Sequence, residues 1–199
     1  MTMETLEAFD RAIVLWVNGL NTPFLDHFMW FVSGKLTWIP LYVLILYLFI
    51  RQSGLKKGLI FLLCAVGVVA ITDQTSVHLF KEMFLRYRPS HHALLTDQLH
   101  FYDLGDGNLY KGGTYGFVSS HAANFMALCT FAYLGLRKNF KWIIPVLIIS
   151  SVLVCFSRIY LGVHYLSDVL VGGTLGVLIA VLVFRFVFIA IIGREYYRR

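Results

Sequence analysis

LSDVLVGGTLGVLIAVLVFRFVFIAII, residues 166–192, carries only Asp168 and Arg185 as charged side chains and is long enough to cross the hydrocarbon core of a bilayer as a helix. That single run decides the class, an all-α polytopic membrane helix bundle. Within it Gly172 and Gly176 lie four apart, the small-residue spacing that lets two membrane helices approach closely. Arg185 falls near the far end, where a long side chain snorkels to the interface.

Upstream, similar apolar stretches run from Leu36 to Ile50, Gly58 to Phe80, Tyr115 to Leu136 and Trp142 to Phe156, the last short even when Ser157 to Tyr160 continue it. The expectation is five spans, preceded by an amphipathic helix over Leu6 to Leu20. In that segment Leu6, Phe9, Ile13, Val14, Trp16 and Val17 oppose a polar face of Glu7, Asp10, Arg11 and Asn18, so the helix either rests in the interface or spans. Pro23, after Asn21 and Thr22, reads as a first helical residue, opening a short surface helix over Phe24 to Phe31.

The rest of the composition agrees. Of the 199 residues 58% are hydrophobic and 14% charged, which fits one membrane domain over residues 1–199. The first ten residues hold Glu4, Glu7 and Asp10 and no basic residue, so they lack the start of a secretory signal peptide. The formal charge of +6 sits in short loops between apolar runs and is a topology signal, not a nucleic-acid surface. Cys64, Cys129 and Cys155 lie inside apolar runs without metal-ligand spacing and read as core or lipid-facing residues.

Arg51, Lys56 and Lys57, then Arg137, Lys138 and Lys141, then Arg194, Arg198 and Arg199 fall on three connections of one face, which the positive-inside rule makes cytoplasmic. The opposite face carries Lys81, Arg88, Arg158 and the long polar connection 89–114, and it looks outward, to the periplasm of a bacterial inner membrane. His91, His92, His100, Asp97, Asp103 and Asp106 in that connection match no metal-ligand pattern and read as a solvated loop.

The chemistry is concentrated just before and within the start of the last span, in SRIYLGVHYLSD, residues 157–168. If the chain is helical from Val163, His164 and Asp168 lie at i and i+4 on one face, a histidine oriented by a carboxylate and free to act as nucleophile or base. Arg158 offers a planar fork suited to phosphate or carboxylate oxygens. The alternative is a structural Arg/His/Asp cluster tying two helix ends together. Lys81 and Arg88-Pro89 end the second span, Ser119-Ser120-His121 open the third, and Arg86 between the motif positions reads as a surface residue. All three clusters reach the same face, where two histidines, three cations, a hydroxyl and helix N-terminal amides can surround a tetrahedral anion.

These spaced residues are similar to the three motifs of the phosphatidic acid phosphatase type 2 superfamily, Lys-x6-Arg-Pro, Pro-Ser-Gly-His and Ser-Arg-x5-His-x3-Asp, over residues 81–168. The first and third match throughout. The second has Val118 for the proline and Ser120 for the glycine, a change in the backbone of the loop that presents its amide to phosphate. The resemblance implies that His164 attacks phosphorus, Asp168 orients it and His121 protonates the leaving oxygen. It also implies that Lys81, Arg88, Ser119, Ser120 and Arg158 hold phosphate, with no metal or other cofactor. The partners expected are the bilayer and a phosphorylated lipid: undecaprenyl pyrophosphate, phosphatidylglycerol phosphate, phosphatidic acid or a lipid A phosphate. A transporter or flippase subunit is the alternative, since it would use the cations without needing a nucleophile and an acid. Vanadate-dependent haloperoxidase chemistry is disfavoured by the spans.

Overall fold

The structure, a computed structural model, describes residues 3–193, so Arg194, Arg198 and Arg199 of the third basic cluster lie outside the described residues. Seven helical stretches carry the chain: α1 (Met3–Asn18), α2 (Pro23–Ser33), α3 (Ile39–Ser53, preceded by a 3₁₀ turn at Leu36–Trp38), α4 (Leu55–Phe84), α5 (Ser120–Leu136), α6 (Ile143–Tyr160) and α7 (Leu166–Ile192). Local chemistry sets several of the boundaries. Thr22 caps α2 by accepting the Leu25 amide at 3.2 Å, with Pro23 in the first turn as the sequence predicts. Gly54, at φ 83, turns α3 into α4 within one residue. Ser119 caps the Ala122 amide, so α5 begins at Ser120 and not at Tyr115, where apolarity alone had set the boundary.

Among the described residues, four helices are long and apolar enough to cross a membrane: Leu36–Ser53, Leu55–Phe84, Ile143–Tyr160 and Leu166–Ile192. The expected span at α5 has 17 residues and is not one of the four. It is nevertheless the centre of the bundle, packed against α4, α6 and most extensively α7. Its own sequence explains this: Ala122, Ala123, Ala127, Cys129 and Ala132 keep its radius small on buried faces, while Phe125 and Phe131 fill the core with Phe49, Phe61, Phe184 and Phe188.

Gly172 and Gly176 make the contact expected of them. A methyl group added at Gly176 would sit 2.1 Å from the Ala123 carbonyl oxygen, and one at Gly172 would sit 2.7 Å from that of Ser119. The second contact also sets the height of the α5 N-terminus, because the Ser119 amide donates to the Asp168 carbonyl at 3.0 Å.

Two features depart from the sequence reading. First, α4 is α-helical to Gln74 and then opens into a π-helical turn over Thr75–Lys81, which turns Ser76 into the protein beside Lys81. Second, the polar face of α1 divides. Glu7 stays exposed, but Asp10 and Asn18 are buried and bonded. Asn18 donates through Nδ2 to the carbonyls of His100 and Tyr160, both at 2.8 Å, and accepts the His100 amide at 2.8 Å.

Connection 89–114 is thereby strapped down, not merely solvated: Leu95, Leu99 and Phe101 join Val14, Val17, Tyr160 and Val163 in a second apolar cluster. His100 pairs with Asp26 at 2.9 Å, and Tyr102 stacks on Trp30.

Replacing Gly176 by valine is expected to destabilise by at least the ~1–3 kcal/mol usual for overpacking, read as a lowered melting temperature in detergent. Gly67→Val, where an added carbon meets nothing within 4 Å, is the control that leaves it in place. Equal melting temperatures for the two variants would mean α5 and α7 are not in close contact.

Candidate active site

Lys81 comes from the π turn of α4, Arg88 from the residue before Pro89, Ser119, Ser120 and His121 from the start of α5, Arg158 from the last turn of α6, and His164 and Asp168 from the junction into α7. The fold brings these elements together at one end of the bundle. Lys81, Arg88, Ser120 and His121 line one wall of a cavity of about 820 Å³, whereas Arg158 and His164, each 1% exposed, are buried.

The cations are held by neutral groups. Lys81 Nζ donates to Ser120 Oγ at 2.7 Å, and that hydroxyl also meets Ser76 Oγ at 2.7 Å. Arg88 Nε donates to the Tyr115 carbonyl at 3.1 Å. Arg158 donates through Nη1 to Ser33 and through Nη2 to Tyr110 at 3.0 Å, leaving Nε buried without a partner among the described residues. Burial and the neighbouring Arg158 bring the Arg88 guanidinium down to about 10, which still leaves it charged at neutral pH. Burial pushes the His164 imidazole well below its ordinary range, with Arg88, Arg158 and Lys81 adding to the effect, so the ring is neutral.

The His164–Asp168 relation is not that of one helical face. Helix α7 starts at Leu166, so His164 precedes it, and Asp168 sits in the first turn with Oδ2 accepting the Tyr165 amide at 3.0 Å. The same oxygen lies 3.5 Å from His164 Nδ1, a separation longer than an ordinary hydrogen bond. Gly116 lets the chain pass here: a methyl group on it would be 3.2 Å from Asp168 Oδ2 and 3.5 Å from His164 Nδ1. The Nδ1 edge is therefore the one turned to the carboxylate.

Arg86 corrects the surface reading given to it. Its guanidinium donates to Asp168 Oδ1 at 2.8 Å, to Ser167 at 2.7 Å and to Asp10 Oδ2 at 2.8 Å, and it lies over the Tyr165 ring. Asp10 in turn accepts the Ser167 amide at 3.0 Å and bonds its hydroxyl. Arg86 and Asp10 thus fix the carboxylate beside His164. The signal available in the sequence was an acid on α1 and an arginine close to the motif, each costly to bury alone. Ser33, Tyr110 and Lys35, the last at the cavity, also went unread.

The PAP2 superfamily model matches residues 58–192, a range that takes in all of these groups except those of α1, α2 and Lys35. The chain belongs to the PAP2 superfamily. It is 33% identical over 184 residues to the lipid A 4'-phosphatase of Porphyromonas gingivalis, covering 92% of this chain and 75% of that one. It is 29% identical to phosphatidylglycerophosphatase B of Bacillus subtilis, covering 89% and 80%. The crystal structure of a transmembrane PAP2 type phosphatidylglycerolphosphate phosphatase from Bacillus subtilis superimposes with a TM-score of 0.67 at 25% identity, covering 92% of this chain and 86% of that one. These PAP2 relatives make the chain a membrane lipid phosphatase and leave the transporter alternative without support.

In this PAP2 protein Arg86→Gln is expected to lower kcat for phosphate release about hundredfold, the scale of a misplaced reacting group, with a smaller change in KM. Asp10→Asn should act in the same direction. An unchanged kcat in both would mean that Asp168 needs neither of them.

Proposed function

We propose that the chain hydrolyses a phosphomonoester or pyrophosphate on a lipid head group through a phosphohistidine at His164. The observation that carries this reading is charge balance. Lys81, Arg88 and Arg158 gather around a buried histidine against two carboxylates, Asp168, already matched by Arg86, and Asp73, bonded to Asn124. That leaves unmet positive charge of the kind that stabilises a transferring phosphoryl group.

With Nδ1 turned to Asp168, Nε2 of His164 attacks phosphorus and the bond to the leaving oxygen breaks. His121, on the cavity wall, passes to that oxygen the proton brought in by the substrate's phosphate monoanion. Water, deprotonated by His121, then attacks the phosphohistidine, releasing phosphate and restoring neutral His164. Arg88, Arg158 and Lys81 hold the equatorial oxygens. Ser119 and Ser120 act mainly through placement, since Ser119 Oγ caps α5 and Ser120 Oγ holds Lys81. These groups use no metal or other cofactor in this scheme.

The cavity suits a lipid. Beyond the polar wall it is lined by Tyr42, Ile45, Phe61, Leu62, Val66 and Val69, and Leu62 and Val66 are exposed on the flank of the bundle. An acyl chain can therefore enter from the bilayer. The relatives' names favour a lipid A phosphate or phosphatidylglycerol phosphate.

In this reading residues 1–199 act as one domain with five crossings, α5 included, and the basic connections support a site on the outer face of a bacterial inner membrane. Buried Asp10 and Asn18 favour α1 lying against the bundle as part of the site's outer end.

His164→Ala should reduce phosphate release from detergent-solubilised lipid by a factor on the order of 10⁴ or more and abolish an acid-labile phosphoenzyme trapped from labelled substrate, with the melting temperature preserved. Persistent turnover in that variant would end the phosphohistidine scheme.

Sidedness is testable separately. In a background with Cys64, Cys129 and Cys155 replaced, Asp103→Cys should react with a membrane-impermeant thiol reagent on spheroplasts, and Asn139→Cys only after lysis. The reverse pattern would put the site in the cytoplasm.

A further inference from the structure

Part of the cavity lining is chemically unlike the cations and apolar groups that make up the rest. Asp73 of α4 and Asn124 of α5 both line it. Asn124 Nδ2 donates to Asp73 Oδ1 at 2.8 Å, and Asn124 Oδ1 is buried with no partner among the described residues. The orientation of the amide follows from chemistry, because a carboxylate accepts and only the NH₂ end can face it. Asp73 stands in the apolar stretch that begins at Gly58, and among the described residues its carboxylate joins none of the ion pairs. It is not the contact counter-ion of Lys81, which donates to Ser120. An ionisable group within a span is costly and marks a site unless something pairs it.

Placement says what the site takes. Asn124 is four residues below Ser120 on α5, one turn on the same face, so the pair lies about 6 Å beneath the layer where Lys81 meets Ser120. The two atoms left over, Asp73 Oδ2 and Asn124 Oδ1, are both acceptors. A phosphate is repelled there, whereas a donor is accepted.

We propose that Asp73 and Asn124 form a head-group subsite that accepts hydrogen bonds from a hydroxyl or amide N–H about one glycerol or sugar unit from the scissile phosphate. This rests on the lipid phosphatase reading and narrows it. Substrates are glycolipid phosphates or glycerol phosphates with such a donor, in preference to phosphate joined directly to diacylglycerol or to a prenyl chain. A site built to bond a substrate donor discriminates strongly against an analogue that lacks it.

The test compares kcat/KM of the detergent-purified protein on four lipids. Phosphatidylglycerol phosphate and a lipid A 4'-phosphate carry donors of the two kinds, and phosphatidic acid and undecaprenyl pyrophosphate carry none next to the phosphate. The wild type should favour the first two. Asn124→Leu, of similar size, and the milder Asp73→Asn should each lower kcat/KM on the donor-bearing lipids about ten- to hundredfold more than on phosphatidic acid. A loss confined to the lipid A substrate assigns the subsite to the amide, and an equal loss on both donor-bearing lipids assigns it to a hydroxyl. Equal losses on all four lipids would overturn the proposal, leaving the pair to serve the phosphate site or the fold. So would unchanged ratios. Absence of wild-type turnover on every lipid is a different failure, that of the phosphatase reading, and the proposal falls with it.

Discussion

Three cations held close together by neutral groups are the constraint on which the rest of this structure depends. At an effective dielectric of about 20, two like charges at contact distance repel by roughly 4 kcal/mol, so Lys81, Arg88 and Arg158 gather only because separate elements force them together. The π turn of α4 aims Lys81 at Ser120, the bond to the Tyr115 carbonyl fixes Arg88, and Ser33 and Tyr110 hold Arg158 from opposite sides. The buried, unpartnered Nε of Arg158 shows the same incompleteness at the level of one atom.

The motif charges were legible because they are anomalies: an arginine, a histidine and an aspartate inside an apolar chain stand out, and their spacing carried the family. The bundle was legible for the same reason in reverse, from uninterrupted apolarity. What escaped was whatever depends on two distant residues meeting. Asp10 resembled an exposed position on an amphipathic helix, and Arg86 a bystander between motif positions, until the fold placed them across Asp168. The π turn was also invisible, because a shift from i+4 to i+5 bonding leaves no mark on hydropathy. The start of α5 was misjudged because Tyr115 to Val118 are apolar enough to extend a span, and only the cap at Ser119 ends it. Asp73 was readable as an ion in a span, but its purpose depends on Asn124, which lies 51 positions away in sequence.

Connection 89–114 illustrates how a polar, glycine-rich segment becomes architecture. Asn18 offers it an amide that both donates and accepts, as a neighbouring strand would, and Asp26, shared by His100 and Tyr160, ties it to α2 and α6. Tyr110, at the far end of the same segment, then reaches Arg158. The position of Arg158 is in this way coupled to residues of α1 and α2 far from it in sequence.

The bridge from Asp10 through Arg86 to Asp168 has a consequence for where this catalyst begins. The stretch recognisable as PAP2 starts at residue 58 and contains Lys81, Arg88, His121, Arg158, His164 and Asp168. It does not contain Asp10, the acid that completes the clamp on the carboxylate beside His164. Transplanting residues 58–192 into another scaffold would move the recognisable chemistry and leave part of its alignment behind. The unit of sequence similarity and the mechanical unit of catalysis have different edges in this protein, and the first helix lies between them.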